Sequence, residues 1–412
     1  MNGTRSLPRA TVYPMSYRVV GTVADVIIFI VGFLGNIMIC AVVKNTKSLQ
    51  TPTYCYLVSL AVADILLVCA AIPEAIISYH LYSKQWILGH AGCAIMVFIT
   101  FLAINAGSLS ILAFTIERYI AICHPMLAQK VCTVSRARNI ILTTWAIVCL
   151  YSAPWLGLSG TRPLRLADVT GMEKCDYLLS RDMYIYFFLF DVVVFYCVPL
   201  LISVILYLRM GLVLHKSMQD LRKQIGTRMP LRGWSMRKSS SCTLENPPRN
   251  CASMSRGAST KNPPKWLSVP GDESRTGPST QRDTQTANAT MQSRCQVVKM
   301  LIVVVVCFAV LWLPYRGLLV YNSLVSKPWL NMWYVLFAKT LVYMNSAINP
   351  FLYTVLSRKF REATFRMLAC CSFGRINTRT RMGPSRSELG LRQISTKSRD
   401  IDSVSLATSA TL

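Results

Sequence analysis

Charge is scarce in this chain. Of its 412 residues, 15% are Asp, Glu, Lys or Arg, where a soluble domain carries about 25%. Hydrophobic residues make up 53%. A deficit of that size points to lipid rather than water as the solvent. Acid is scarcer still, with 18 Asp and Glu against 44 Lys and Arg and a formal charge of +26. Nucleic acid would need those bases gathered on a folded domain or groove. They crowd instead between and after apolar runs, chiefly over 216–294 and 358–399, as cytoplasmic segments do under the positive-inside rule. Nucleic acid is excluded as a partner.

Histidine is nearly absent. His80, His90, His124 and His215 all stand at or near the ends of apolar runs. No zinc spacing, no nucleophile with its base and no paired metal ligands can be assembled, so the chain reads as no enzyme and calls for no resident cofactor. An internal repeat with interrupted helices, the mark of a transporter or ion pump, is missing. So is a cleavable leader: the first apolar run is too long, lacks a small-residue cleavage site and reads as a retained span. Cysteine is plentiful at 15. Many lie inside apolar runs as small hydrophobes, among them Cys40, Cys55, Cys69, Cys149, Cys197 and Cys307.

What is present is a set of apolar runs long enough to cross a bilayer, which takes about 20 residues of helix. Seven qualify: 19–43, 54–79, 92–123, 139–158, 184–210, 296–321 and 333–356. The expected fold is an all-α membrane protein, a seven-transmembrane helix bundle. Spans four and seven are the least uniformly apolar.

The loop after span one carries Lys44 and Lys47, and the loop after span three carries Lys130, Arg136 and Arg138, without acids. These basic loops go to the cytoplasm, which puts the N-terminal segment 1–18 outside and the tail inside. Asn2-Gly3-Thr4 becomes a glycosylation acceptor. Cys93 and Cys175 then stand outside the cell, where an oxidising compartment permits a disulfide. The stretch 211–295 is polar, Pro-bearing and expected to be a disordered loop interrupting the 19–356 bundle. After it, 357–371 has Phe360, Phe365 and Leu368 at helical spacing among Arg358, Lys359, Arg361 and Arg366, a basic amphipathic eighth helix on the inner leaflet. Cys370 and Cys371 close it as palmitoylation candidates. The tail 372–412 is expected to be disordered. The long loop and Ser/Thr-rich tail suggest receptor kinases and arrestin as partners.

Charges inside lipid are functional candidates, because each costs at least about 2.5–3.5 kcal/mol. Asp64 sits mid-span and reads as an ion or proton site facing the bundle interior, or else as helix-packing glue. Span three serves as a ruler: from Cys93 to Arg118 is about 37 Å of helix, so the two mark opposite surfaces. Phe101 and Asn105 then lie about 12 and 18 Å below Cys93. Glu117-Arg118 alone is a weak signal, since an adjacent acid and base are often a surface pair.

Taken together the motifs resemble the rhodopsin-like G-protein-coupled receptors over all seven spans. The matching residues are Gly35-Asn36, Leu60-Ala61-Val62-Ala63-Asp64, Cys93, Glu117-Arg118-Tyr119, Trp145, Pro199, Tyr207, Phe308, Trp312-Leu313-Pro314 and Asn349-Pro350-Phe351-Leu352-Tyr353. The resemblance implies that Cys93 bonds Cys175, that Asp64 with Asn349 holds an allosteric sodium ion, and that Arg118 is released from Glu117 to receive a heterotrimeric G protein. Tyr119, Tyr207, Phe308, Trp312, Pro314, Pro350 and Tyr353 complete the implied activation machinery.

Within that class the chain is most similar to the thyrotropin-releasing hormone receptors, through Thr51–Leu60, Phe114–Pro125, Asp191 before Phe195-Tyr196, Leu311–Arg316 and Met344–Pro350. That likeness implies a small amidated peptide as agonist and Gq-type coupling, with phospholipase C and calcium downstream. It places Asn105 and Tyr315 against the ligand. Phe101 replaces the family's tyrosine and Lys339 its arginine, so a different short peptide, ghrelin- or neuromedin-like, is the alternative.

Five charges fall in the outer half of the spans: Asp25, Glu74, Asp191, Arg316 and Lys339. Asp191 and Arg316 reach similar depths, and an ion pair between them is expected to shape the pocket wall. Glu74 and Lys339 stand about 15 Å outward of Asp64 and Asn349, so Glu74 is expected to neutralise Lys339 in part. Asp25 has no assignment. Opsins place their lysine one turn deeper, at Tyr343 here, which excludes a photopigment. The short N-terminal segment forms no ectodomain, and span three lacks the outer aspartate of amine receptors. A short peptide is expected inside the bundle, with Lys339 and Asn105 on its carbonyls and Phe101 and Tyr315 on its rings.

Overall fold

A computed structural model gives the architecture and describes residues 10–164, 166, 169–228 and 279–379. Lipid offers no hydrogen bonds, so every crossing must close its own backbone pairs, and helices do this. Span one is Met15–Asn45, span two Pro52–His80, span three Gly89–Cys123 and span four Val134–Ser152. Span five comprises Arg181–Val192, a π turn at Val193–Cys197 and Val198–Arg228. Span six is Ser279–Leu324 and span seven Met332–Leu356. Six of these are apolar and long enough to cross a membrane. Span seven is as long, but Lys339, Asn345 and Asn349 lower its hydropathy. Span three is the hub, packing against spans two, four, five and six, while span seven lies between one and six.

Several boundaries depart from expectation. Span four ends at Ser152 because Pro154 interrupts it, and a short turn, Trp155–Leu158, follows. The polar stretch 211–295 is helical at both ends, not disordered there: span five runs on to Arg228, and span six begins at Ser279. No Gly or Pro falls within 212–225 or 279–295. A helix already nucleated in the membrane therefore propagates cheaply. Residues 229–278 lie outside the described region. The eighth helix likewise extends past 371, spanning Arg358–Arg379, so 372–379 is helical as well. Phe360 is buried and Phe365 exposed on it. The bundle forms one compact unit, ending at Phe365. The side chains of Cys370 and Cys371, Asn2, and the tail 380–412 lie outside the described region.

An all-α expectation also missed a hairpin. Strands β1 (Ser159–Leu164) and β2 (Met172–Tyr177) pair antiparallel, Thr161 opposite Cys175. Gly171 precedes β2 at φ +80°, a conformation that costs glycine nothing. Cys175 joins Cys93 in a disulfide, with Cα atoms 5.5 Å apart. Trp86 N–H donates to Glu173 O at 2.7 Å. The hairpin is thus tied to the tip of span three.

Prolines distort the spans, and the freed carbonyls find donors. Pro199 leaves Phe195 O without its helical partner, and Ser108 Oγ donates to that oxygen at 2.5 Å. Pro350 frees Ser346 O, which accepts from Asn36 Nδ2 at 3.0 Å. Gly35 makes that approach possible: a Cβ there would stand 2.7 Å from the Pro350 ring.

Candidate functional site

The disulfide end of the bundle encloses a cavity of about 560 Å³, within the usual range for small-molecule sites. Spans two, three, five, six and seven line it, and Cys175, Asp176 and Tyr177 of β2 wall its mouth. One side is aromatic. Phe101 stacks on Trp155 at 4.8 Å and on Phe188 at 6.1 Å, and Tyr177 and Tyr184 stand edge-on to Phe188 at 5.2 and 5.3 Å. Burial among these rings raises the Tyr177 phenol above its ordinary value, so it stays neutral and able to donate. The opposite side carries Glu74, Lys339 and Tyr343.

The expected pair between spans five and six is present: Arg316 Nη1 meets Asp191 Oδ2 at 2.6 Å. Both are buried, at 5% and 1% exposure, yet each has atoms on the cavity lining. The guanidinium also lies 5.2 Å over the Trp312 ring. Asn105 departs from its expected place. It is 0% exposed, does not line the cavity, and donates Nδ2 to Asp191 Oδ1 at 2.8 Å. The cause is electrostatic: a buried carboxylate that accepts a single cation still needs a donor for its second oxygen.

Arg181, which the sequence did not single out, clamps the end of span six. Its guanidinium donates to the carbonyls of Asn322 at 2.7 Å and Ser326 at 2.8 Å, and to Val325 O. These are carbonyls that a helix C-terminus leaves unpaired. Asp25, unassigned from sequence, is fully buried and accepts from Tyr79 Oη at 2.8 Å.

Below the cavity runs a chain of polar contacts. Trp145 Nε1 donates to Ser59 Oγ at 2.9 Å, and Ser59 and Ser110 share a hydrogen bond of 2.9 Å, tying spans two, three and four. Asn349 Nδ2 donates to Asp64 Oδ2 at 2.8 Å, linking seven to two. Trp312, Phe308 and Tyr196 contact one another in sequence as tilted rings, with centroids 6.0 and 5.7 Å apart. At the far end Arg118 binds Glu117 twice, with Nε to Oε2 at 2.5 Å.

Residues 35–353 match the family described as 7 transmembrane receptor (rhodopsin family). The chain is a member of that receptor family. The thyrotropin-releasing hormone receptors of Ovis aries and Homo sapiens are each 39% identical to it over 372 residues, covering 90% of this chain and 83% of theirs. The neuromedin-U receptor 1 of Homo sapiens is 28% identical over 358 residues, 84% of this chain and 72% of its own.

In this receptor several motif residues are buried within the bundle. Tyr207 of span five shares a 2.9 Å hydrogen bond with Thr115 of span three, one turn from the Glu117–Arg118 pair. Tyr353 is almost fully buried, and its hydroxyl has no hydrogen-bond partner among the described residues. Tyr119 stands edge-on to His124 at 5.5 Å. Tyr315 lines the cavity and stands edge-on to Trp312 at 6.5 Å, so the cavity floor touches the aromatic rings beneath it.

Proposed function

We propose that this receptor is switched on by thyrotropin-releasing hormone or a related short amidated peptide entering the cavity. The supporting observation is the cavity itself: about 560 Å³, aromatic on one side, charged on the other, and roofed by the disulfide-tied hairpin. That volume suits a ligand of drug size rather than a protein hormone. The relatives named above give the agonist class. The disulfide end faces outward and the tail inward in the plasma membrane, by the charge of the loops. Asn2 then carries the glycan, and Cys370 and Cys371 the acyl chains.

Agonist binding favours a state in which Arg118 leaves Glu117 and the inner end opens to a Gq-type G protein. Such an agonist must hold that state more tightly than the resting one. Receptor kinases and arrestin act on the Ser/Thr-rich tail, and anionic lipid meets the basic eighth helix. Asp64 with Asn349 holds a sodium ion. The residues fit a hard cation: a buried carboxylate, an amide, and the buried Ser346 hydroxyl.

Calcium release in transfected cells tests the reading, with thyrotropin-releasing hormone beside other short amidated peptides and neuromedin-type peptides. A response to the hormone or another short amide is the expected result. Silence to all of them would remove the ligand assignment.

A further inference from the structure

His80 closes span two at the disulfide end of the bundle and reaches across to span one. Arg18 Nη2 donates to its Nδ1 at 3.0 Å, and its Nε2 lies 2.9 Å from Thr22 Oγ1. A guanidinium donates and never accepts, which settles the tautomer. Nδ1 carries the lone pair, the ring proton sits on Nε2, and Thr22 accepts it. The ring is therefore neutral. His80 is exposed, within reach of solvent protons, while Arg18 is half-buried, its Nε inside and with no hydrogen-bond partner among the described residues.

This contact knots the ends of spans one, two and seven. Tyr17, beside Arg18, and Tyr79, beside His80, are both buried and meet edge-on at 5.5 Å. Tyr17 also stands edge-on to Trp333 of span seven at 5.4 Å. Gly21 lets the first two spans close up, since a Cβ there would stand 2.8 Å from the Tyr79 ring. Spans two and seven carry Glu74 and Lys339 on the cavity wall, so the knot holds that wall from behind.

A proton added to His80 meets no compensating acid. Arg18 is the charged group that faces it from span one, and Lys84 stands in the loop after span two. Tyr82 of that loop pairs with Val12, and Tyr13 follows; these phenols are the titratable groups of the N-terminal segment and the loop. Asp25 and Glu74 lie about 10 and 9 Å further along their helices from Arg18 and His80. Among the described residues no carboxylate bonds either member of the pair. Protonation removes the lone pair that Arg18 uses and sets two cations in contact. Imidazole changes charge between about pH 5 and 8, so the bond exists above that range and is lost as pH falls through it.

We propose that His80 and Arg18 form a proton-sensitive latch, and that acid in the external medium opens it, loosens the cavity wall and lowers agonist potency. The inference takes the outward orientation of the disulfide end from the reading above.

The test uses the full-length receptor in cells and short amidated peptides at about pH 7.5 and 6. Wild-type potency should fall about threefold to tenfold in acid, the worth of one such hydrogen bond. His80→Gln keeps an acceptor and a donor without titrating, and should respond alike at both pH values, as should Arg18→Gln. His80→Lys should show the acid potency throughout. His90 also accepts at Nδ1, but from the neutral Thr161 N–H at 3.2 Å, so His90→Gln should keep the wild-type response. Titration of the peptide itself is common to all variants and cancels. An N-terminal tag on intact cells reads surface level and orientation, and His80→Asn is the second variant should His80→Gln fail to reach the surface. Thermal unfolding of purified receptor needs neither agonist nor orientation: acid should lower the midpoint of wild type more than that of His80→Gln. Equal falls in midpoint, or a wild-type acid response retained in His80→Gln, overturns the latch. A midpoint difference with potency unmoved by acid overturns its link to the cavity. Silence to every peptide, or a tag hidden from the medium, overturns the reading above instead, and the midpoints still decide the latch.

Discussion

Asn105 gives its amide N–H to Asp191 at 2.8 Å, and that bond makes the asparagine a support of the pocket rather than a face of it. Removing it leaves Asp191 Oδ1 buried without a donor, which costs about 1–3 kcal/mol. Asn105→Ala should therefore lower the thermal unfolding midpoint of purified receptor and weaken all peptide agonists by similar factors. A residue that merely touched ligand would lower potency with the midpoint unchanged. That second pattern would return Asn105 to the cavity surface.

The same carboxylate anchors Arg316. Truncating either member strands a buried charge, at about 3–5 kcal/mol, so Asp191→Ala and Arg316→Ala should each reduce surface expression and agonist response. The doubly exchanged receptor, Asp191→Arg with Arg316→Asp, should recover part of both. Recovery below the better single variant would mean that Asn105 and Trp312 demand the native polarity, and would end the claim that the pair acts chiefly by mutual neutralisation.

Ser108 and Pro199 form a different kind of couple, in which one residue repairs what the other removes. Ser108→Ala should cost about 1–3 kcal/mol, because Phe195 O is left buried with no donor. In a Pro199→Ala background the backbone N–H is available again and the helix can re-form its own bond. The serine substitution should then cost much less. The double-mutant cycle is read by thermal unfolding, and additive effects would show that the π turn persists without its proline.

The crossings and the ion pair of spans five and six were legible in the sequence because both follow from one-dimensional quantities. Apolar run length sets a span, and helical rise converts residue number into depth. Glu74 and Lys339 could be matched in depth for the same reason. Asp25 could not, since its partner Tyr79 stands 54 residues away and hydroxyl donors leave no mark on hydropathy. The committed state of Asn105 was hidden likewise: depth is set by residue number, but the direction a side chain faces is set by its neighbours. The hairpin was missed because its strands are short and mixed in polarity. Its one local sign was Gly171. The helical ends at 211–228 and 279–295 show a composition argument failing at its edges, where an existing helix supplies the nucleus that an isolated polar segment lacks.

The disulfide fixes the hairpin that walls the cavity, so its loss should act on ligand more than on the bundle. Cys175 lies in β2, whose residues wall the cavity, and the bond ties that strand to the tip of span three. The double substitution Cys93→Ser with Cys175→Ser should lower agonist potency at least tenfold while receptor still reaches the surface. Potency retained in the double variant would show that the Trp86–Glu173 backbone bond holds the hairpin unaided.

Glu117 offers the sharpest reading of the resting state. Its carboxylate holds Arg118 through two contacts, and its side chain is only 8% exposed. Glu117→Gln keeps the size but removes the charge that makes these bonds strong. If the pair restrains the inactive state, weakening it by about 1.4 kcal/mol shifts the population of the active state about tenfold. Agonist-free inositol phosphate should then rise several-fold at equal surface expression, while Arg118→Ala should abolish signalling with agonist binding intact. Adding the Asn105→Ala change should not restore the low basal level, because that residue acts at the opposite end of span three. Basal signalling equal to wild type in Glu117→Gln would place the restraint elsewhere, with the Thr115–Tyr207 contact the next position to test.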